Sequence, residues 1–233
     1  MLNTRDIDNR VTGAFDELVN EASRSRLLGE IAFQPYGRHE KTIEDLFRTA
    51  LRSQFGERVR IPSNQTKEHY NKLHDIVVLH NSVTLAKFEV KTPFTDTPGI
   101  RGKTRKPEHL PKDMNALKAA LETGASSAYA LITPIGCYPV DPNVTMTVLN
   151  SRSLKKNEEA IKAKYQIQWP TRPDYETNPL HGKQEVDRAM KQLADERRLK
   201  VKRVKGWQKV VLPKPKPNIY TFIDCALYKV QLK

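Results

Sequence analysis

The sequence predicts an α/β fold in which helices flank a mixed central sheet, with an N-terminal helix and a basic C-terminal extension. Segments of helical and of strand periodicity alternate through the middle of the chain, which is typical of a layered α/β domain. The excess of positive charge lies wholly in the second half. We expect a helical element over 1–36, a core over 37–150, and a basic part over 151–233 that either stands alone or packs on the same core.

The individual elements follow from hydrophobic spacing, with glycine and proline marking their ends. In chain order they are an amphipathic helix over 5–28, a helix over 40–55, a short strand over 58–62, a hairpin over 74–91, a proline-rich loop over 92–109, a helix over 110–124, a buried strand over 126–136, a helix over 183–198, a basic hairpin over 199–212 that turns at Lys205–Gly206, and a strand over 219–230.

Composition limits the class of protein. The chain has 233 residues, 38% of them hydrophobic, which is enough for one sizeable core. No apolar run approaches the roughly 18 residues of a spanning helix, and the N-terminus lacks the apolar stretch of a signal peptide. The spacing of Cys137 and Cys225 suggests neither a zinc site nor a disulfide framework. We therefore expect a cytoplasmic protein with reduced thiols.

The net charge of +13 is unevenly distributed. Residues 1–99 contain 14 basic and 14 acidic residues, whereas residues 183–216 contain 12 basic and 4 acidic ones. Such a cluster is typical of a surface that binds a polyanion, because neutralising phosphates releases counterions. The basic segment has no strong apolar face for membrane insertion. Nucleic acid is therefore the expected partner, and a solvated basic face is the alternative.

The hairpin over 74–91 sets two carboxylates against each other. In a symmetric hairpin centred on Ser82, Asp75 faces Glu89 with the side chains roughly 5 Å apart. Lys91 shares this polar face, and alternation places apolar residues on the other face, where we expect a helix to cover them. Two facing carboxylates are destabilising unless positive charge lies between them.

Lys91 offers one positive charge against two negative ones, so a divalent cation that prefers oxygen ligands would complete the balance, and Mg²⁺ is the obvious choice. Such an ion binds a phosphate oxygen and lowers the pKa of a bound water. Lys91 beside it could position the nucleophile or stabilise charge on the phosphate. The pattern indicates phosphodiester hydrolysis. The alternative is a surface hairpin on which Glu89 and Lys91 merely form an exposed ion pair.

The motif Asp75…Glu89-Val90-Lys91 resembles that of the PD-(D/E)XK nuclease superfamily, which has the restriction-endonuclease-like fold. The proline that usually precedes the aspartate is His74 here. The resemblance covers roughly residues 40–135, where the order helix, three strands, helix, strand matches that family's core. It implies that Asp75 and Glu89 bind Mg²⁺, or Mn²⁺ in its place, with the Val90 backbone carbonyl near the ion and Lys91 catalytic.

The resemblance also implies an acidic residue on the first core helix, for which the segment "HEKTIEDLF" offers Glu40 and Glu44. Glu44 is preferred as a catalytic residue because it directly flanks the apolar stripe, and Glu40 remains open.

Basic residues of the loop after the hairpin, of the next helix and of the C-terminal part are expected to contact DNA phosphates. They are Arg101, Lys103, Arg105, Lys106, Lys112, Lys202, Arg203, Lys205 and Lys209.

These features together predict a Mg²⁺-dependent DNA endonuclease. A type II restriction endonuclease that acts as a homodimer on palindromic DNA is the first expectation. A structure-specific repair, recombination or phage nuclease is the alternative within the class. From another class, the alternative is a nucleic-acid-binding protein that keeps the fold without catalysis. DNA rather than RNA rests on the resemblance.

Overall fold

The computed structural model describes residues 2–31, 39–56, 75–92, 109–139, 181–213 and 219–233. The described helices are α1 (Thr4–Arg24), α2 (Arg26–Ile31), α3 (His39–Phe55), α4 (His109–Glu122) and α5 (His181–Glu196). The described strands are β1 (Ile76–His80), β2 (Val83–Lys91), β3 (Ser127–Ile132), β4 (Ile135–Pro139), β5 (Leu199–Val211) and β6 (Ile219–Leu232). The strand predicted over 58–62 and most of the loop over 92–109 lie outside the described residues.

The described strands form one mixed sheet in the order β1-β2-β3-β6. The β2–β3 pair is parallel and the other pairs are antiparallel. One edge of β6 pairs with β5. On the opposite edge, residues 226–230 of β6 pair with β3 and residues 219–223 of β6 pair with β4. Parallel strands need a crossover connection, and α4 lies within the one between β2 and β3. The predicted α/β class with a mixed sheet is confirmed.

A tight turn and a bulge together set the register of the β1–β2 hairpin. Asn81 and Ser82 have φ of +48° and +65°, which suits a two-residue turn of the kind that favours tight hairpins. A register shift between Val78 and Leu79 then adds one residue to the β2 side, so Ile76 pairs with Phe88. Continued by one residue, this register places Asp75 opposite Glu89. The predicted pairing is therefore reached through a shorter turn and a bulge rather than a symmetric loop.

One face of the sheet packs against α1 and α3. Phe88 lies at the centre of this core, with its ring 5.4 Å from the Phe47 ring of α3 and 5.1 Å from the Tyr129 ring of β3. Ile76 and Val90 are also fully or almost fully buried there. The prediction that a helix covers the apolar face of the hairpin is confirmed.

The opposite face of the sheet packs against α4 and α5. Met114 and Leu117 of α4, and Val186 and Met190 of α5, are buried in this second core. Glu89 and Lys91 project toward this side, because they alternate with Phe88 and Val90 along β2. The polar site therefore lies where the sheet meets the α4 layer.

The N-terminal helix is interrupted at Ser25. A capping box of Asn3 and Asp6 begins α1, but Ser25 has extended geometry, with φ −75° and ψ 100°. The Ser25 hydroxyl accepts the Leu28 N–H at 3.2 Å and so caps the new helix α2. The prediction of one helix over 5–28 is corrected: the serine gives the chain a local hydrogen bond that competes with continuing α1.

The predicted basic hairpin at Lys205–Gly206 is wrong. Residues 199–211 form one edge strand, β5, whose partner along its length is β6. Gly206 has no positive φ, and register shifts on either side of Lys205 bend the strand instead. The reason is that β6 pairs with β5 over almost its whole length, whereas a hairpin would pair only one half of β5 with the other half. The proline-containing spacer between β5 and β6 does not prevent this pairing.

Residues from the three segments predicted over 1–36, 37–150 and 151–233 contact one another. Asp8 of α1 accepts hydrogen bonds from the Tyr129 hydroxyl and, at 2.7 Å, from the Lys229 ammonium of β6. The sheet likewise contains strands from 37–150 and from 151–233. Among the described residues, no helix combines the length and apolar character needed to cross a membrane.

Candidate active site

The first residues of the site are held by the β1–β2 hairpin. Asp75 lies immediately before β1, and its Oδ2 accepts the backbone N–H of Val90 at 2.7 Å. The Asp75 and Glu89 side chains are themselves hydrogen-bonded to each other. The hairpin register thus brings the two predicted carboxyl groups into direct contact.

Burial and like charge raise the pKa of both carboxyl groups. The pKa of Glu89 is raised to about 10, by burial first and then by the charges of Asp75 and Asp113, with Lys91 opposing only in part. Burial also raises the pKa of Asp75, which the Val90 N–H and the Lys91 charge partly offset. At neutral pH without a cation, Glu89 therefore keeps its proton and donates a hydrogen bond to Asp75, as expected for two acids that cannot both ionise side by side.

Lys91 forms ion pairs with two further carboxylates. Its Nζ lies 3.1 Å from Glu40 Oε1 on α3 and 3.6 Å from Asp113 Oδ2 on α4. Burial alone would lower the pKa of Lys91, but the charges of Glu40, Asp113 and Asp75 together raise it above its ordinary value. Lys91 is therefore a charged ammonium, suited to donating hydrogen bonds and stabilising negative charge rather than accepting a proton.

The two candidate carboxylates of α3 have different surroundings. Glu40 contacts Lys91 through one oxygen and accepts the Thr92 N–H at 3.2 Å through the other. Glu44 is 5% exposed and pairs with the Arg48 guanidinium at 2.5 Å. It lies near enough to Asp75 for its charge to raise the pKa of that residue. Both predicted residues are therefore near the site, and Glu40 is the one in contact with Lys91.

Asp113 also belongs to the site, although no sequence pattern singles it out. Burial raises its pKa to about 6, with Asp75 and Glu40 adding to the effect and Lys91 opposing it. Within the described part of the chain, no donor reaches hydrogen-bond distance of its buried Oδ2. Asp75, Glu89 and Asp113 form a carboxylate cluster beside Lys91. An aspartate near the start of a helix is usually explained by the helix dipole, so only the packing of α4 on β2 reveals this role.

The donor set suits a hard divalent cation. Among the described residues, no three His, Cys, Asp or Glu side chains are placed to hold a metal ion by themselves. Mg²⁺ does not require this, because it is usually bound by one or two carboxylates and completed by waters and substrate phosphates. Asp75 and Glu89, with the Val90 carbonyl between Glu89 and Lys91 on β2, match that requirement. The raised pKa of Glu89 indicates that Lys91 alone does not offset the negative charge that the two carboxyl groups would carry if both were ionised.

The expected DNA-binding residues fall into groups with different surroundings. Arg101, Lys103, Arg105 and Lys106 lie outside the described residues. Lys112 at the start of α4 and Lys202 on β5 are exposed. Arg203 pairs with Asp187 of α5 and Lys205 with Asp16 of α1, each at 2.7 Å. The exposed Lys209 lies 5.0 Å from the centre of the Phe222 ring.

Comparison of the chain with protein-family models, with curated proteins and with solved structures found no match. The resemblance to PD-(D/E)XK nucleases therefore rests on the residues of the hairpin and on the order of the elements around it.

Proposed function

We propose that the protein is a Mg²⁺-dependent DNA endonuclease with a restriction-endonuclease-like core. The observation that carries the proposal is the Asp75–Glu89 contact: a partly buried and a buried carboxyl group opposed on a hairpin, with Lys91 at the end of the same strand as Glu89. Ionising both groups side by side is unfavourable in this environment, so without a cation Glu89 keeps its proton. Cation-assisted catalysis accounts for this pairing.

In this proposal Asp75, Glu89 and the Val90 carbonyl hold Mg²⁺, with Mn²⁺ as a substitute. The ion, when bound, supplies Lewis-acid activation of the phosphate and lowers the pKa of a water. Lys91 orients the attacking water and stabilises negative charge that develops on the phosphate oxygens. Glu40 and Asp113 hold the Lys91 ammonium in place. The resemblance also implies a catalytic carboxylate on α3, for which Glu44 is the residue preferred from the sequence and Glu40 is the alternative.

The location of the basic residues agrees with a DNA substrate. β5 lies three strand positions from β2, which is roughly 14 Å at the usual spacing between strands. Lys209 pairs with Asp224, two residues from Ala226, which lies in the row of Lys91 across the sheet. Lys112 adjoins Asp113 in the sequence, so exposed basic residues occur both beside the cluster and further across the sheet, and a bound duplex would offer them phosphates.

The preferred form of the proposal is a type II restriction endonuclease that acts as a homodimer on a palindromic site. A repair, recombination or phage nuclease that recognises DNA structure is the second form. Discrete fragments from a plasmid support the first form, and cutting confined to flaps, junctions or ends supports the second.

Incubation of the purified protein with supercoiled plasmid and with flap and junction oligonucleotides, with Mg²⁺ or EDTA, tests the proposal. The Asp75→Ala and Lys91→Ala variants should each lose cleavage by at least about a hundredfold. Lys233→Ala is the matched control, because Lys233 is an exposed lysine that pairs with Asp195 away from the cluster. Salt-sensitive binding that Mg²⁺ never converts to cleavage of any substrate would instead favour the non-catalytic nucleic-acid-binding protein.

A further inference from the structure

Arg48 is a buried arginine that links α3 to the start of β1. Its side chain is 5% exposed. The guanidinium donates to Glu44 at 2.5 Å, to Asp45 at 2.8 Å and to the backbone carbonyl of Asp75 at 2.9 Å. The last contact joins residues 27 positions apart in the sequence. It is the one that bears on the site.

The bond from Arg48 and the bond to Val90 hold Asp75 from two sides. Arg48 fixes the main chain of Asp75 through its carbonyl, and the Val90 N–H fixes the carboxylate through Oδ2. Since Asp75 precedes the first residue of β1, the ladder bonds of the hairpin begin only after it. The direction of its carboxylate therefore depends on these two contacts together with the hydrogen bond shared with Glu89.

The same guanidinium is the closer and more buried of two cations at Glu44, since Lys41 Nζ lies 3.3 Å from the same carboxylate oxygen. Glu44 is 5% exposed, and a buried carboxylate is stable when it is paired and hydrogen-bonded. Nη2 of Arg48 donates both to Glu44 and to the Asp75 carbonyl, while Nη1 donates to Asp45. A lysine has a single nitrogen and lacks this planar two-nitrogen arrangement, so it cannot reproduce all three bonds.

We propose that Arg48 is a positioning residue for Asp75, and that Glu44 acts as the counter-charge of Arg48 rather than as a ligand of the ion. The inference rests on the proposed function, since it assigns Arg48 a role in the binding of a divalent cation by Asp75. Groups that orient a metal ligand typically change metal affinity by 10- to 100-fold when they are removed.

The test measures the binding of Mn²⁺ in the absence of DNA. Binding is monitored as the decrease in the electron paramagnetic resonance signal of free Mn²⁺. Arg48→Lys, which keeps the charge, should raise the Kd for Mn²⁺ by about tenfold or more. Glu44→Gln should raise it by less than Arg48→Lys does. Arg52→Met, an exposed change one turn further along α3, is the matched control and should leave the Kd unchanged.

The double variant Glu44→Gln/Arg48→Met separates positioning from stability. It buries no unpaired charge, so it should fold even where a single variant does not, and circular dichroism checks this. A positioning role predicts that the folded double variant still binds Mn²⁺ about tenfold more weakly than the wild type. A wild-type Kd in the double variant and in Arg48→Lys would overturn the inference and leave the proposed function standing. A wild type that neither binds Mn²⁺ nor cleaves DNA would overturn both.

Discussion

Replacing Glu89 by glutamine tests the charge balance of the carboxylate cluster directly. Glutamine has nearly the shape of a protonated glutamate and can still donate to Asp75, but it cannot ionise. In the metal-free protein we expect Glu89→Gln to be more stable than the wild type at alkaline pH. A change at a buried hydrogen-bonded residue ordinarily does the opposite.

The magnitude follows from the two pKa values of Glu89, which are about 10 in the folded protein and 4.5 as the ordinary value. Below the lower value both states hold the proton. Between the two values only the folded state holds it, so the free energy of unfolding falls by about 1.4 kcal/mol for each pH unit. Between about pH 6.5 and 8.5 the wild type should lose about 2.7 kcal/mol from this residue. The pKa of Asp113, about 6, lies below that window.

Urea unfolding in EDTA, followed by circular dichroism at several pH values, measures the effect. The fall of about 2.7 kcal/mol, or roughly 5 to 10 °C in Tm, should be present in the wild type and absent in Glu89→Gln. Glu21→Gln on the exposed face of α1 is the control and should keep the wild-type slope. Equal slopes for the wild type and Glu89→Gln would refute the assignment of a shared proton to this pair.

Further predictions concern the buried core, the contact of Asp8 on α1 with Lys229 of the sheet, and Asp113 of the carboxylate cluster. Phe88→Ala should lower the free energy of unfolding by about 3 to 5 kcal/mol, since its ring is fully buried between two others; urea denaturation measures it, and a loss under 1 kcal/mol would show that the ring is dispensable. Asp8→Ala should lower the free energy of unfolding by about 2 to 4 kcal/mol, because it leaves the buried Lys229 ammonium without its carboxylate. An unchanged free energy of unfolding by the same method would argue against a stabilising role for this ion pair. Asp113→Asn should stabilise the metal-free protein at about pH 8, by less than Glu89→Gln does, because the raised pKa of Asp113 makes its charge unfavourable there; a lower Tm than the wild type would contradict this.

The hairpin and the helix beneath it could be predicted because local pattern and tertiary packing agree there. Strict alternation along β2 separates Phe88 from Glu89, and the three- and four-residue spacing of α3 places Phe47 on the face that meets it. The turn at Asn81–Ser82 limits the register to a few choices. The facing of Asp75 and Glu89 follows from these local features.

The misjudged features depend on contacts between distant segments. The glycine at Lys205–Gly206 predicts a turn, because glycine often marks one, yet the long-range pairing with β6 keeps this stretch in a single strand. Asp113 becomes part of the site only when α4 packs on β2, and Arg48 only when α3 reaches the start of β1. Periodicity gives no information on such contacts, so the sequence predicts the ligands of the proposed site better than the residues that support them.

We propose that the Asp75–Glu89 carboxyl pair serves a cation in catalysis, and cleavage of supercoiled plasmid in Mg²⁺ by the wild type and by Glu89→Gln tests this most sharply. Because Glu89→Gln is expected to fold at least as stably as the wild type, a loss of cleavage cannot be attributed to unfolding. We expect Mg²⁺-dependent cleavage by the wild type and a loss of at least about a hundredfold in the variant. Cleavage at the wild-type rate by Glu89→Gln would contradict the proposal.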